Sequence, residues 1–141
     1  MVARTAEAEW QGALRDGKGT VKLGSGAFSG NHSFTSRFEN GKGTNPEELI
    51  GAAHAGCFSM AFSAVLGGHG LTPKRIHTTA AVHIDKVGDG FSITHIDLAM
   101  EAEIPGLSQA DFQTYANDAK TNCPVSKALA GTKINLTAKL L

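Results

Sequence analysis

From Ala6 to Trp10 the chain alternates, with Ala6, Ala8 and Trp10 on one face and Glu7 and Glu9 on the other. After Gly17-Lys18-Gly19 a second short run covers Thr20 to Leu23. A period of two predicts strands, and the pair reads as a ribbon with a Gly-rich turn. His32 to Glu39 alternates as well: Phe34, Ser36 and Phe38 share one face, and Thr35, Arg37 and Glu39 the other. The expectation is a third strand, with Arg37 directed away from the Phe face. Gly41-Lys42-Gly43-Thr44 lacks the Gly-Lys-Ser/Thr of a phosphate cradle and reads as a turn leading into a helix cap. Asn45-Pro46-Glu47-Glu48 follows, with an Asn cap, Pro in the first helical position and acids in the first turn.

That helix is expected to end at Gly67-Gly68. From Leu49 to Gly70 it holds no Asp, Glu, Lys or Arg, which raises the question of a membrane span. His54, His69, Ser59, Ser63 and five glycines lie in the same stretch, so the simpler reading is a buried central helix of a soluble domain. Gly51, Ala52, Ala55, Gly56 and Ser59 would let a second backbone approach closely, as across a dimer interface.

Two alternating runs, Ile76 to Asp85 and Phe91 to Ile104, flank Gly88-Asp89-Gly90 and predict a hairpin. Ser108-Gln109-Ala110-Asp111 opens a helix, and Cys123-Pro124 a shorter one with Cys123 at its cap. Thr132 to Leu140 alternates as a closing strand. The predicted order is N-terminal strands in 1–39, a central helix over 45–67, a hairpin over 76–104, helices over 108–130 and a strand over 132–140. This is one α+β domain, 1–141, with an antiparallel sheet.

A length of 141 residues and 41% hydrophobic content fit one ordinary globular domain. Thirteen basic residues balance thirteen acidic ones with no basic run, which argues against nucleic acid as a partner. The N-terminus has no apolar signal core and the two cysteines form no C-x-x-C. The expected setting is therefore the cytoplasm, away from any membrane, with both thiols reduced.

Those thiols are the leading candidates for chemistry. Only a few per cent of an ordinary thiol is ionised at neutral pH, so a reactive one needs a cation or a helix N-terminus beside it. Cys123 has the helix terminus. Cys57 has only His54 on its own helix face, so from its local sequence alone it reads first as a buried core cysteine.

Longer motifs decide between these readings. Ala8-Glu9-Trp10-x-Gly12, Gly17-Lys18-Gly19-Thr20, Ser36-Arg37-Phe38-Glu39, the block from Gly43 through Cys57 to Met60, and Asn122-Cys123-Pro124-Val125-Ser126 occur in that order. The sequence thereby resembles the OsmC branch of the OsmC/Ohr family of thiol-dependent peroxidases, from about Ala6 to Leu140. The resemblance implies an OsmC-like α+β fold in an intertwined homodimer that reduces organic hydroperoxides to alcohols, and hydrogen peroxide less well. It also implies that Cys57 is the peroxidatic cysteine, Cys123 the resolving cysteine, Arg37 the activating arginine and Glu47 its carboxylate partner. The implied reductant is a dithiol, such as a lipoylated protein, or small thiols. No cofactor and no metal are called for.

Glu47 precedes Cys57 by ten residues, about 15 Å along a helix, too far for one guanidinium to serve both within a chain. The expectation is a composite site in which Arg37 and Glu47 of one subunit face Cys57 and Cys123 of the other. Phe58, Met60, Phe62, Phe112 and Tyr115 are candidates for an apolar approach to it.

The rival readings are a Cys-His hydrolase on His54 and Cys57, a zinc site using Cys57, Cys123 and a histidine, and a dimeric binder of a hydrophobic ligand with structural cysteines. The strand histidines His77, His83 and His95 lack ligand spacing and read as cross-strand surface residues.

Overall fold

A computed structural model describes residues 2–141. The chain forms two compact units, one ending at Leu49 and one spanning Ile50–Leu141.

In the first unit β1 (Ala6–Gln11), β2 (Lys18–Leu23) and β3 (Ser29–His32) form an antiparallel sheet in that order. Gly19 is buried where rings close over the ribbon. A Cβ there would lie 2.5 Å from the His32 ring and 2.6 Å from the Trp10 ring, so only glycine fits.

The third strand is shorter than expected. It stops at His32, and Phe34–Phe38 is a short helix, α1. Ser33 overrides the alternation through a capping box: its hydroxyl accepts from the Ser36 N–H while the Ser36 side chain accepts from the Ser33 N–H. The helical turn stacks Phe34 and Phe38 with ring centroids 5.0 Å apart and places the Arg37 guanidinium 5.3 Å from the Phe38 ring. Arg37 therefore lies against a phenylalanine and does not point away from the Phe face.

Helix α2 (Pro46–Gly68) starts as the sequence predicts, with Asn45 Oδ1 accepting from the Glu48 N–H at 2.8 Å. It continues into the second unit.

There β4 (Arg75–Val87) and β5 (Gly90–Glu103) pair antiparallel around Gly88-Asp89, where Gly88 takes a φ of 62°. Then come α3 (Gln109–Asn122), α4 (Pro124–Ala128) and β6 (Lys133–Leu140). Strand β6 pairs parallel with β5, so this sheet is mixed where an all-antiparallel one was expected. The helical connection carries the chain back to its starting end before β6 begins, which is how parallel neighbours are joined.

The core of this unit joins Ile96, Leu98, Met100 and Ala102 of β5 to Phe58, Phe62 and Leu66 of α2 and to Phe112, Ala116 and Ala119 of α3. Phe62 packs edge-on against Phe112 at 5.7 Å between centroids. Phe58, Phe62 and Phe112 are wholly buried, so they do not line an approach to the thiols. Phe62→Ala is expected to cost about 3–5 kcal/mol in chemical denaturation; a loss below 1 kcal/mol would remove Phe62 from the centre of the core.

Helix α2 is not buried on all sides within its own chain. Gly51, His54, Phe58, Phe62 and Leu66 form its buried face, whereas Ala52, Ala53, Gly56, Met60, Ser63 and Ala64 are exposed. Met60 is 76% exposed. By length and composition α2 is apolar enough to cross a membrane, with 28% of its most apolar stretch buried. Its buried face packs as a core helix does, with Gly51 against Ala80 and Val82 and Ser59 hydrogen-bonded to Thr78 at 2.7 Å.

Candidate active site

The four predicted site residues form two pairs, one in each unit. In the first unit Arg37, near the end of α1, meets Glu47, in the first turn of α2. The guanidinium Nε donates to Oε1 and Oε2 at 3.1 and 3.2 Å, and Nη2 donates to Oε1 at 2.7 Å. Glu47 is buried, while the Arg37 side chain retains 36% exposure. A planar cation held by a fork is fixed in direction as well as charge. Ser36 Oγ donates to the Thr44 carbonyl at 2.8 Å and Asn45 Nδ2 to the Ser36 carbonyl at 3.1 Å. These bonds fasten α1 to the loop before α2 and so set the Arg37–Glu47 distance. Beside the pair, Trp10, Leu14, Phe34, Phe38 and Pro46 line a recess of about 240 Å³ that Arg37 also borders.

In the second unit Cys57 of α2 and Cys123 have their sulfurs 2.8 Å apart, both as free thiols. Cys123 ends α3 and begins α4, and its side chain caps neither. Pro124 in the first position of α4 accounts for the break, since it has no N–H with which to continue α3. Cys123 is fully buried, whereas Cys57 is half-buried.

Burial pushes the Cys57 thiol above its ordinary pKa, and the hydrogen bond with Cys123 acts in the same direction. The Val125 N–H opposes both by less. Burial also opposes ionisation of Cys123, but the hydrogen bond from Cys57, the Ser126 N–H and hydroxyl and the Val125 N–H outweigh it and bring that thiol down. None of the groups acting on Cys57 here is a cation. The pair can hold one shared proton, yet its own unit does not make Cys57 the more acidic sulfur.

Two further residues belong to this arrangement. His54, fully buried one turn before Cys57, has Nε2 2.8 Å from Ser126 Oγ. Among the described residues its Nδ1 has no hydrogen-bond partner. With His54 engaged by Ser126, the Cys-His hydrolase reading loses its base. His54 instead ties the start of α4, and with it Cys123, to α2. The sequence singled out His54 for the wrong partner and missed Ser126; its place three residues after a helix-capping cysteine was the available signal.

Burial lowers the His54 pKa below its ordinary 6.5. The unfolded chain then takes up the proton first, so this contribution to stability is complete above about pH 6.5 and is lost as pH falls below it. Melting temperatures between pH 7.5 and 5.5 are expected to drop, with His54→Gln showing a smaller slope. Equal slopes would contradict a neutral buried imidazole.

Residues 39–139 match the family described as OsmC-like protein. Peroxiredoxin OsmC of Escherichia coli (strain K12) is 50% identical over 91% of this chain and 90% of its own length. The organic hydroperoxide resistance protein of Xanthomonas axonopodis pv. citri (strain 306) is 35% identical over 71% of this chain and 68% of its own. Among solved structures, an OsmC-like protein of Mycoplasma pneumoniae superposes with a TM-score of 0.76 at 16% identity, over 99% of this chain and 98% of that one. An organic hydroperoxide resistance protein of Elizabethkingia anophelis gives 0.73 at 25% identity over 99% of each chain. The chain belongs to the OsmC-like family, and its α+β architecture of small sheets and helices is the family's.

Proposed function

We propose that the protein is a thiol-dependent peroxidase that reduces organic hydroperoxides to alcohols. The observation that carries this is the Cys57–Cys123 pair, two free sulfurs 2.8 Å apart beside the N–H groups of Val125 and Ser126. Relatives named as a peroxiredoxin and as an organic hydroperoxide resistance protein support the reading.

Cys57 is the attacking sulfur because it is the more accessible of the two. Its thiolate displaces alkoxide from the peroxide O–O bond and becomes a sulfenic acid, and the alkoxide leaves as alcohol on taking up a proton. Cys123 then attacks that sulfenic acid, a disulfide forms and water departs. A dithiol, a lipoylated protein by resemblance, returns both sulfurs to thiols in a reducing cytoplasm.

Arg37, oriented by Glu47, supplies the cation that Cys57 lacks in its own unit. It comes from a second copy of the chain. The rise of about 15 Å over ten residues of α2 keeps a guanidinium clasped to Glu47 away from Cys57 of the same helix, while antiparallel central helices in a homodimer bring the two together. The exposed face of α2, with Ala52, Gly56 and Met60, supports such an intertwined dimer. The recess of Trp10, Leu14, Phe34 and Phe38 beside Arg37 suits the hydrocarbon part of a hydroperoxide, which favours alkyl substrates over hydrogen peroxide. It takes the role that the core phenylalanines do not fill.

Single-turnover mixing with cumene hydroperoxide is expected to consume two thiols per chain. Loss of no thiol at stoichiometric peroxide would defeat the peroxidase reading and leave a dimeric binder of hydrophobic ligands.

A further inference from the structure

On the polar face of the β4–β5–β6 sheet, His83, His95 and Asp97 place three ligand atoms within 4.8 Å of one another. His83 and His95 are direct cross-strand partners. Their rings stack at 3.9 Å with planes 7° apart. Asp97 Oδ2 lies 3.0 Å from His83 Nε2 and 3.7 Å from His95 Nε2. Atoms bound to one tetrahedral zinc at about 2.0–2.1 Å are separated by roughly 3.3 Å; the two Asp–His spacings bracket that value, and the parallel rings need only turn toward each other for both in-plane lone pairs to meet one ion.

The surrounding hydrogen bonds prepare these atoms for a cation. The register between β4 and β5 slips after His83, so that Ile84 faces Ile93 and Thr94 is the extra residue of a bulge. The Thr94 hydroxyl donates its one proton to Asp85 Oδ2 at 2.9 Å, and its oxygen lies 3.0 Å from His95 Nδ1. With that proton committed, the hydroxyl accepts from Nδ1–H, and His95 Nε2 is left with a lone pair facing a carboxylate. Asn135 Nδ2 donates to Asp97 Oδ1 at 2.8 Å, leaving Oδ2 for the histidines. Outer partners of this kind orient the ligands of metal sites. Lys133 is the register partner of His95 on β6, and Lys139 lies further along the same face, opposite Glu101. Beside the cluster, Asp85 and Asp97 together outweigh Lys133.

We propose that His83, His95 and Asp97 form a surface site for a zinc-class divalent transition metal, independent of the thiols, with a fourth position open to water. Bound metal would link β4 to β5 at the bulge.

The test uses the full chain with Cys57→Ser and Cys123→Ser, which removes competing thiolates, and titrates it with Zn²⁺ alone. One equivalent should bind and raise the melting temperature. Co²⁺ should give visible d–d bands without sulfur charge-transfer bands. His83→Ala and Asp97→Asn should weaken binding more than tenfold. Thr94→Val, which keeps all three ligands and removes the hydroxyl that joins His95 Nδ1 to Asp85, should weaken it by about tenfold. In the unsubstituted histidine set, ¹⁵N spectra should show the Nε2 signals of His83 and His95 moving together. No saturable binding, or binding unaltered in His83→Ala and Asp97→Asn, overturns the proposal, as does movement of other histidines alone.

Discussion

Cys57→Ser is expected to abolish turnover of an organic hydroperoxide, by about a thousandfold or more, because no other group present combines nucleophilic sulfur with access. Cys123 is fully buried and cannot substitute for it, although its thiol is the more acidic of the two in its own unit. The matching variant behaves differently. Cys123→Ser should keep the first, peroxide-consuming step and stall at sulfenic acid, consuming one thiol per chain. Steady turnover by Cys57→Ser, or a normal cycle in Cys123→Ser, would each disprove the assigned division of labour. The fold should survive both changes, since neither side chain caps a helix and serine is close in size.

Arg37→Met should lower kcat/KM by roughly two to three orders of magnitude, the usual effect of losing a positioned charge against a developing anion. A mixing experiment tells where that charge acts. Arg37→Met and Cys57→Ser chains should each be nearly inactive alone. Unfolded together and refolded, half of the dimers are heterodimers. In a composite arrangement each heterodimer carries one intact site, so about a quarter of wild-type activity should return. If Arg37 serves Cys57 of its own chain, no intact site can form and mixing restores nothing. Glu47→Gln should fall between wild type and Arg37→Met, since it loosens the fork without removing the cation.

What the sequence revealed and what it hid follow from the range of the interactions involved. The start of α2 was legible to the residue because Asn45, Pro46, Glu47 and Glu48 each satisfy a local requirement of a helix N-terminus. The β4–β5 turn was legible because Gly88 supplies a positive φ. The segment after His32 misled because alternation over a few residues is weaker than two hydrogen bonds made by Ser33 and Ser36. Strand direction was hidden too: the alternation of Thr132 to Leu140 is the same whether β6 runs with or against β5. Helix α2 carried too little polarity to betray which face packs inward. The Cys57–Cys123 proximity could be expected only through family resemblance. The His83–His95–Asp97 cluster, with a two-residue offset on one strand and a cross-strand partner, has no linear signature at all.

The position of Cys123 has a consequence for a catalytic cycle. Its backbone N–H donates to the Ala119 carbonyl at 2.9 Å and its carbonyl accepts from the Lys127 N–H at 3.0 Å. Both helices are thus tethered through its main chain, while the sulfur is left out of that bonding. Swinging the sulfur about χ1 therefore leaves both main-chain bonds in place, giving up its contacts with the Val125 and Ser126 N–H groups. On the proposed cycle the main-chain bonds that tie α3 to α4 are expected to persist through every change of oxidation state.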